Sequence, residues 1–262
     1  MNEKKNKKSS LIIKTGFFLL SSVIYYNIFS VEKSKLIFYK KYYIIIIEKD
    51  KRMINMRKMF GTMLATEDYA LGARRLYDSL KTVNSIYQND FFILLASNIN
   101  IDNIKKIFPE KNIFIANFNL LNVPNLDRDE RIKYTINKIY AFQVPVGIKL
   151  CLVDSDIYFI KNCDHYLDFP AGSAYPAAHP PHSANGGVII FENDFQSFLK
   201  GKEIIDNFNG DFRINDEYIW KKLWQNFSTD YEKHLPIGDW YNNEEQMRVV
   251  HEDGFPKQWM IN

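Results

Sequence analysis

The chain has 262 residues, 46% hydrophobic and 15% aromatic, with a formal net charge of +3. That is ample apolar material for a folded core, and two cysteines, Cys151 and Cys163, exclude a disulfide scaffold. The charge is uneven: residues 1–57 hold thirteen Lys/Arg against four Asp/Glu, so the remainder is mildly acidic, which argues against nucleic acid as a partner.

Residues 1–57 read as a separate extension. Lys4, Lys5, Lys7 and Lys8 precede the apolar run Leu11 to Phe29, as in a signal anchor that leaves its lysines on the cytoplasmic side. Lys14, Ser21, Ser22 and Asn27 weaken that run, and a span needs about 20 mostly apolar residues. The segment also lacks Ala and Pro and is rich in Lys, Ile, Asn, Tyr and Phe, as translated A/T-rich sequence would be. The favoured expectation is a start at Met53, Met56 or Met59 and a cytoplasmic protein. A type II membrane anchor and an ordered extra helix remain the alternatives.

From Lys58 the pattern alternates. Lys58 to Ala65 reads as a strand, and Tyr69 to Leu80 as a helix capped by Thr66. Phe91 to Leu95 is a strand, Ile101 to Phe108 a short helix stopped by Pro109, and Ile113 to Ala116 a strand. This alternation argues for a parallel, nucleotide-type α/β half. Asn119 to Glu130 reads as a loop and Arg131 to Val144 as a helix. The apolar run Lys149 to Val153 then feeds into Asp154-Ser155-Asp156. Short pieces at 157–160, 173–178 and 187–191 suggest mixed or antiparallel sheet, Asp194 to Phe208 and Asn215 to Phe227 helices, and the tail from His234 mostly loop. One compact domain over residues 58–262 is expected.

Two acids beyond the end of a buried strand can share a hard cation such as magnesium or manganese, and that cation can hold a diphosphate. Asp-x-Asp alone is a weak pattern, and a solvated turn is its ordinary meaning. The His179-Pro180-Pro181-His182 loop lacks nearby acids and is not read as a metal site.

Separated pieces line up with a known family. Thr62, Tyr69-Ala70-x-Gly72-Ala73, Lys138, Asp154-Ser155-Asp156, Asn185-Gly186-Gly187-Val188, Asp216-Glu217, His234-Leu235-Pro236 with Tyr241-Asn242, and His251-x-x-Gly254-x-x-Lys257-x-Trp259 stand in this order. Together they resemble the glycogenin-like family 8 glycosyltransferases, over residues 58 to 259. The resemblance implies a single-domain A-type glycosyltransferase fold: α/β, with a Rossmann-like nucleotide half and a mixed central sheet. It implies a retaining hexosyltransferase with a UDP-sugar donor, UDP-glucose favoured, a glycan or protein hydroxyl acceptor, and a homodimer. By position, Asp154, Asp156 and His251 resemble ligands for manganese, with magnesium as the substitute. Thr62, Tyr69, Lys138, Ser155, Asn185, Gly187, Asp216, Gly254 and Lys257 resemble donor-binding residues, and Asp216, Lys257 and Lys138 the catalytic ones. Plainer readings stand beside these: Tyr69 as a core residue, the Asn185–Gly187 turn as a bulge, Asp216 as a helix cap and Lys257 as a solvated lysine.

The departures limit what carries over. Glu217 replaces the family's glutamine and Gln258 its proline, and no tyrosine lies in the short segment between Asn242 and His251. The donor chemistry is therefore expected to transfer, and a glycogen-priming role is not. Self-glycosylation at another hydroxyl, and a catalytically weak UDP-sugar or glycan-binding module on the same fold, are the remaining alternatives.

Overall fold

The computed structural model describes residues 56–121, 134–176, 184–209, 214–236, 239 and 247–251, all within one unit that begins at Asn55. The N-terminal extension, His179 to His182, Gly254, Lys257 and Trp259 lie outside the described residues. Among the described residues, no helix is long and apolar enough to cross a membrane.

Eight strands are described: β1 (Arg57–Leu64), β2 (Phe91–Ala96), β3 (Ile113–Phe118), β4 (Ile148–Val153), β5 (Ile157–Phe159), β6 (Ala174–Pro176), β7 (Ala184–Phe191) and β8 (Val249–His251). Four helices accompany them: α1 (Ala70–Thr82), α2 (Ile101–Ile107), α3 (Phe195–Asp206) and α4 (Asp216–Leu223). Six strands form one sheet in the order β3-β2-β1-β4-β7-β6, and β5 and β8 form a separate ribbon. The pairs β3–β2, β2–β1 and β1–β4 are parallel, whereas β4–β7 and β7–β6 are antiparallel. The expected parallel half with antiparallel additions is therefore present.

The sheet follows from its sequence. Phe91 to Ala96 is buried at every position, as a central parallel strand covered on both faces must be. In β1, a Cβ on Gly61 would lie 2.3 Å from the carbonyl oxygen of Phe92 and 2.9 Å from Leu150 Cδ1, so the neighbouring strands approach too closely for any side chain there. Cys151 and Cys163 are small core residues, and burial pushes the Cys163 thiol up to about 12. Aromatic rings fill the space under α4: Trp220 stacks on Trp224 at 4.9 Å, and Phe142 meets Phe191 edge-on at 5.0 Å.

Three expectations need correction. The segment read as a helix from Arg131 is α-helical at Tyr134 and Thr135, the first of its described residues, and then winds as a 3-10 helix over Ile136–Gln143. Ile136 through Phe142 are all buried, so packing on every side, rather than one apolar face, sets its winding. Helix α4 ends at Leu223, well short of Phe227, where Trp224 leaves helical geometry within the aromatic cluster. Thr66 makes no side-chain cap bond. The tail, read as mostly loop, also contributes a three-residue strand, β8, which pairs with β5 about ninety positions earlier in the chain.

Candidate functional site

The site forms at the carboxyl edge of β4. There Asp154 donates its amide to the Gly187 carbonyl at 2.8 Å, which ties the end of β4 to the start of the antiparallel β7. The Ile157 amide bonds the Asp154 carbonyl at 3.0 Å, closing a turn with Ser155 buried between the two acids. Because β7 runs backwards relative to β4, its first residues, Ala184 to Gly187, lie at this same edge.

Lys138 comes from the buried 3-10 turn and is 3% exposed. Its ammonium lies 2.7 Å from Asp154 Oδ1, 2.7 Å from Asp216 Oδ2 and 2.8 Å from the Gly186 carbonyl oxygen. An ammonium has three N–H donors, and these three acceptors use them all. Burial alone would lower its pKa, but the Asp154 and Asp216 carboxylates outweigh that and hold it above the ordinary lysine range. Lys138 is thus placed on carboxylates and a carbonyl, where the resemblance implied the donor's sugar and phosphates.

Asp216 is the first residue of α4. The cap is its neighbour: the Asn215 side chain accepts the Tyr218 amide at 2.9 Å. The Asp216 amide donates to Thr135 Oγ1 at 3.2 Å, and its carboxylate, with 7% of its side chain exposed, turns inward to Lys138. A helix N-terminus favours that negative charge. Gly186 makes the arrangement possible, since a Cβ there would lie 1.9 Å from Asp216 Oδ2. Asn185 folds its side-chain oxygen onto the Gly187 amide at 2.8 Å, fixing the turn.

Asp156 sits just before β5, and β8 brings His251 opposite Ile157. His251 Nε2 is 3.4 Å from Asp156 Oδ1, with side-chain exposures of 25% and 16%. Neighbouring ligand atoms on one octahedral ion are roughly 3 Å apart, so this pair fits two positions of such an ion. Among the described residues, no cluster of three or more His, Cys, Asp or Glu stands close enough to hold a metal. The third expected ligand, Asp154, is held by Lys138. Burial pushes the Asp154 carboxyl above its ordinary value, Asp156 and Asp216 add to that push, and Lys138 opposes it. Two carboxylates, Asp154 and Asp216, face the ammonium and a third, Asp156, lies beside His251, so the cluster is acidic by formal count, a balance that suits a divalent cation.

Thr62 is fully buried in β1, and its hydroxyl has no hydrogen-bond partner among the described residues. Tyr69 is half-buried against the core on the 3-10 turn before α1. The structure thus brings Lys138, Asp154, Asp216, Asn185 and Gly187 together, with Asp156 and His251 beside them. Gly186 and Thr135 are the partners that sequence reasoning missed. The double glycine of Asn185-Gly186-Gly187 was a usable signal for the first, and nothing local marked the second.

No model of a known protein family matches the chain. A curated relative, UDP-glucuronate:xylan alpha-glucuronosyltransferase 2 of Arabidopsis thaliana, is 23% identical over 226 residues, which is 78% of this chain and 36% of that protein. Among solved structures, the bifunctional glycosyltransferase WbbM is similar with a TM-score of 0.56 at 13% identity, covering 78% of this chain and 47% of that one. The galactosyltransferase LgtC, solved with donor and acceptor sugar analogues, gives a TM-score of 0.52 at 15% identity, covering 77% and 89%. The chain is similar to glycosyltransferases of the family 8 type and has the A-type glycosyltransferase fold. It spans about a third of the length of the curated relative that it matches. In this chain the Asp-x-Asp turn, the asparagine–glycine turn and the first residue of α4 converge on one sheet edge, at the carboxyl end of β4 where open α/β sheets bind ligands.

Proposed function

We propose that the chain transfers a sugar from a UDP-sugar to a hydroxyl acceptor, assisted by a divalent cation. The observation that carries this reading is the net negative cluster of Asp154, Asp156, Asp216 and Lys138 at the carboxyl edge of β4, with His251 3.4 Å from Asp156. Manganese, or magnesium in its place, would be held by Asp156 and His251, whose spacing suits it, and, by resemblance, by Asp154, whose Oδ1 is on Lys138. When bound, that ion supplies positive charge to the leaving diphosphate.

The chain's own residues do the rest. Lys138 acts here as a positioning residue that fixes the two carboxylates it bridges. Gly254 and Lys257 are assigned to the diphosphate by resemblance, the glycine for close approach and the lysine for charge. Thr62 and Tyr69 are assigned to the nucleoside, and Asn185, Gly187, Ser155 and Asp216 to the donor sugar and its phosphates. The acceptor oxygen bonds to the anomeric carbon on the face that the diphosphate leaves, so configuration is retained. The bond from that carbon to the diphosphate oxygen breaks, and the acceptor proton passes to the departing oxygen. Asp216 is the carboxylate that the resemblance offers for a double displacement, but its Oδ2 is held by Lys138.

The resemblance favours glucose, but the relatives' names point to other sugars: UDP-glucuronate for the plant enzyme and galactose for LgtC. The test is UDP release with manganese over UDP-glucose, UDP-galactose, UDP-glucuronate, UDP-xylose and UDP-N-acetylglucosamine. One donor is expected to turn over, and Asp156→Asn to lower the rate by about 100-fold or more. Unchanged turnover in Asp156→Asn would overturn the assignment, and UDP-dependent thermal stabilisation without turnover of any donor would indicate a binding module. Intact mass after incubation with donor and manganese reads self-glycosylation, and solution mass reads the proposed homodimer.

A further inference from the structure

Away from the Lys138 cluster lies a second buried polar hub, which the proposed reaction does not use. Asp239 is 8% exposed, and the Tyr166 hydroxyl donates to its Oδ2 at 2.9 Å. Tyr166 and Tyr175 touch through their hydroxyls. His165 Nε2 stands 3.4 Å from the same carboxylate oxygen. The other oxygen, Oδ1, takes Arg248 Nε at 3.2 Å, and the Asp239 carbonyl takes the Arg248 amide at 2.9 Å. Arg248 is thus gripped by both its main chain and its side chain.

Arg248 immediately precedes β8. Its carbonyl accepts the Ile160 amide at 2.8 Å, and its Nη1 donates to the Asn162 carbonyl at 3.0 Å. These bonds continue the pairing Phe159↔Val249, Tyr158↔Val250 and Ile157↔His251 past the end of the ribbon. A strand pair this short has little intrinsic register, and a slip of one residue sends every side chain to the opposite face. The Asp239–Arg248 grip lies at one end of the ribbon, and the Asp156–His251 pair at the other.

We infer that Asp239 is a positioning residue whose hold on Arg248 sets the register of β8 on β5 and so places His251 beside Asp156. The consequence for metal binding rests on the reading proposed above, whereas the register itself does not. Hydrogen exchange of the metal-free protein tests the register. Asp239→Asn is expected to speed amide exchange at Ile160 and in residues 249–251 by tenfold or more, and to leave β1 and β2 unchanged. Manganese binding, followed by electron paramagnetic resonance of the free ion, is expected to weaken about tenfold or more. Adding Asp239→Asn to His251→Ala should weaken binding no further, because the positioned group is gone. Tyr166→Phe removes one bond to the carboxylate with little change of shape, and serves if Asp239→Asn does not fold. Unchanged exchange in 249–251, or equal weakening in the His251→Ala background, would overturn the inference. A wild-type protein that binds no manganese would overturn the metal reading while the exchange result still decides the register.

Discussion

Gly186 and Asp216 are packed so closely that no side chain fits between them: a Cβ on residue 186 would lie 1.9 Å from Asp216 Oδ2. Asp216 has no easy retreat, because that same oxygen accepts from Lys138 at 2.7 Å. Gly186→Ala should therefore break the Asp216–Lys138 contact, cost about 1–3 kcal/mol of stability, and depress transfer more than it depresses donor binding. Denaturant unfolding together with kcat and KM for the preferred donor checks this.

Lys138→Met should be among the most damaging substitutions. It leaves two inward-facing carboxylates without their ammonium, for a loss of about 3–5 kcal/mol near neutral pH. The pH dependence has a definite sign. Burial, with Asp156 and Asp216 nearby, already holds the Asp154 carboxyl above its ordinary value, and removing the ammonium removes the group that opposes this, so the folded variant holds more protons than the unfolded chain between the two values. Its stability should rise as pH falls from 7 towards 5, and by more than that of the wild type. Thermal unfolding across that range reads the difference.

Asn215→Ala removes the bond to the Tyr218 amide and should cost about 1 kcal/mol. Asp216 follows directly on this cap, so the variant should also raise KM for the donor. A stability loss with unaltered kinetics would separate the helix cap from the site.

His251→Ala should raise the manganese concentration needed for half-maximal transfer by at least about tenfold. Excess metal should restore part of the rate, and titration of activity against manganese measures both effects. A chelator should abolish transfer in wild type and variant alike.

The parallel half was legible because β1, β2 and β4 are apolar runs buried on both faces, and α1 shows helical spacing on one face. Asp154 and Asp156 were legible because acids directly after such a run are conspicuous. The partners of Lys138 were not: Asp216 is 78 residues away, and only the fold brings it to the ammonium. The winding of Ile136–Gln143 was hidden because a fully buried segment carries no periodic pattern. Strand β8 was hidden because three residues cannot announce a partner elsewhere in the chain. Among the described residues, His251 is the one whose place beside Asp156 came from the family pattern alone.

Ser155 is the bridge between two mechanically distinct parts. Asp154 belongs to the six-stranded sheet through its bond to Gly187, while Asp156 opens the two-stranded ribbon that carries His251. A ligand held by both acids would act as a clamp across that joint. Its arrival should show as a loss of local motion in the ribbon, with no rearrangement of the sheet.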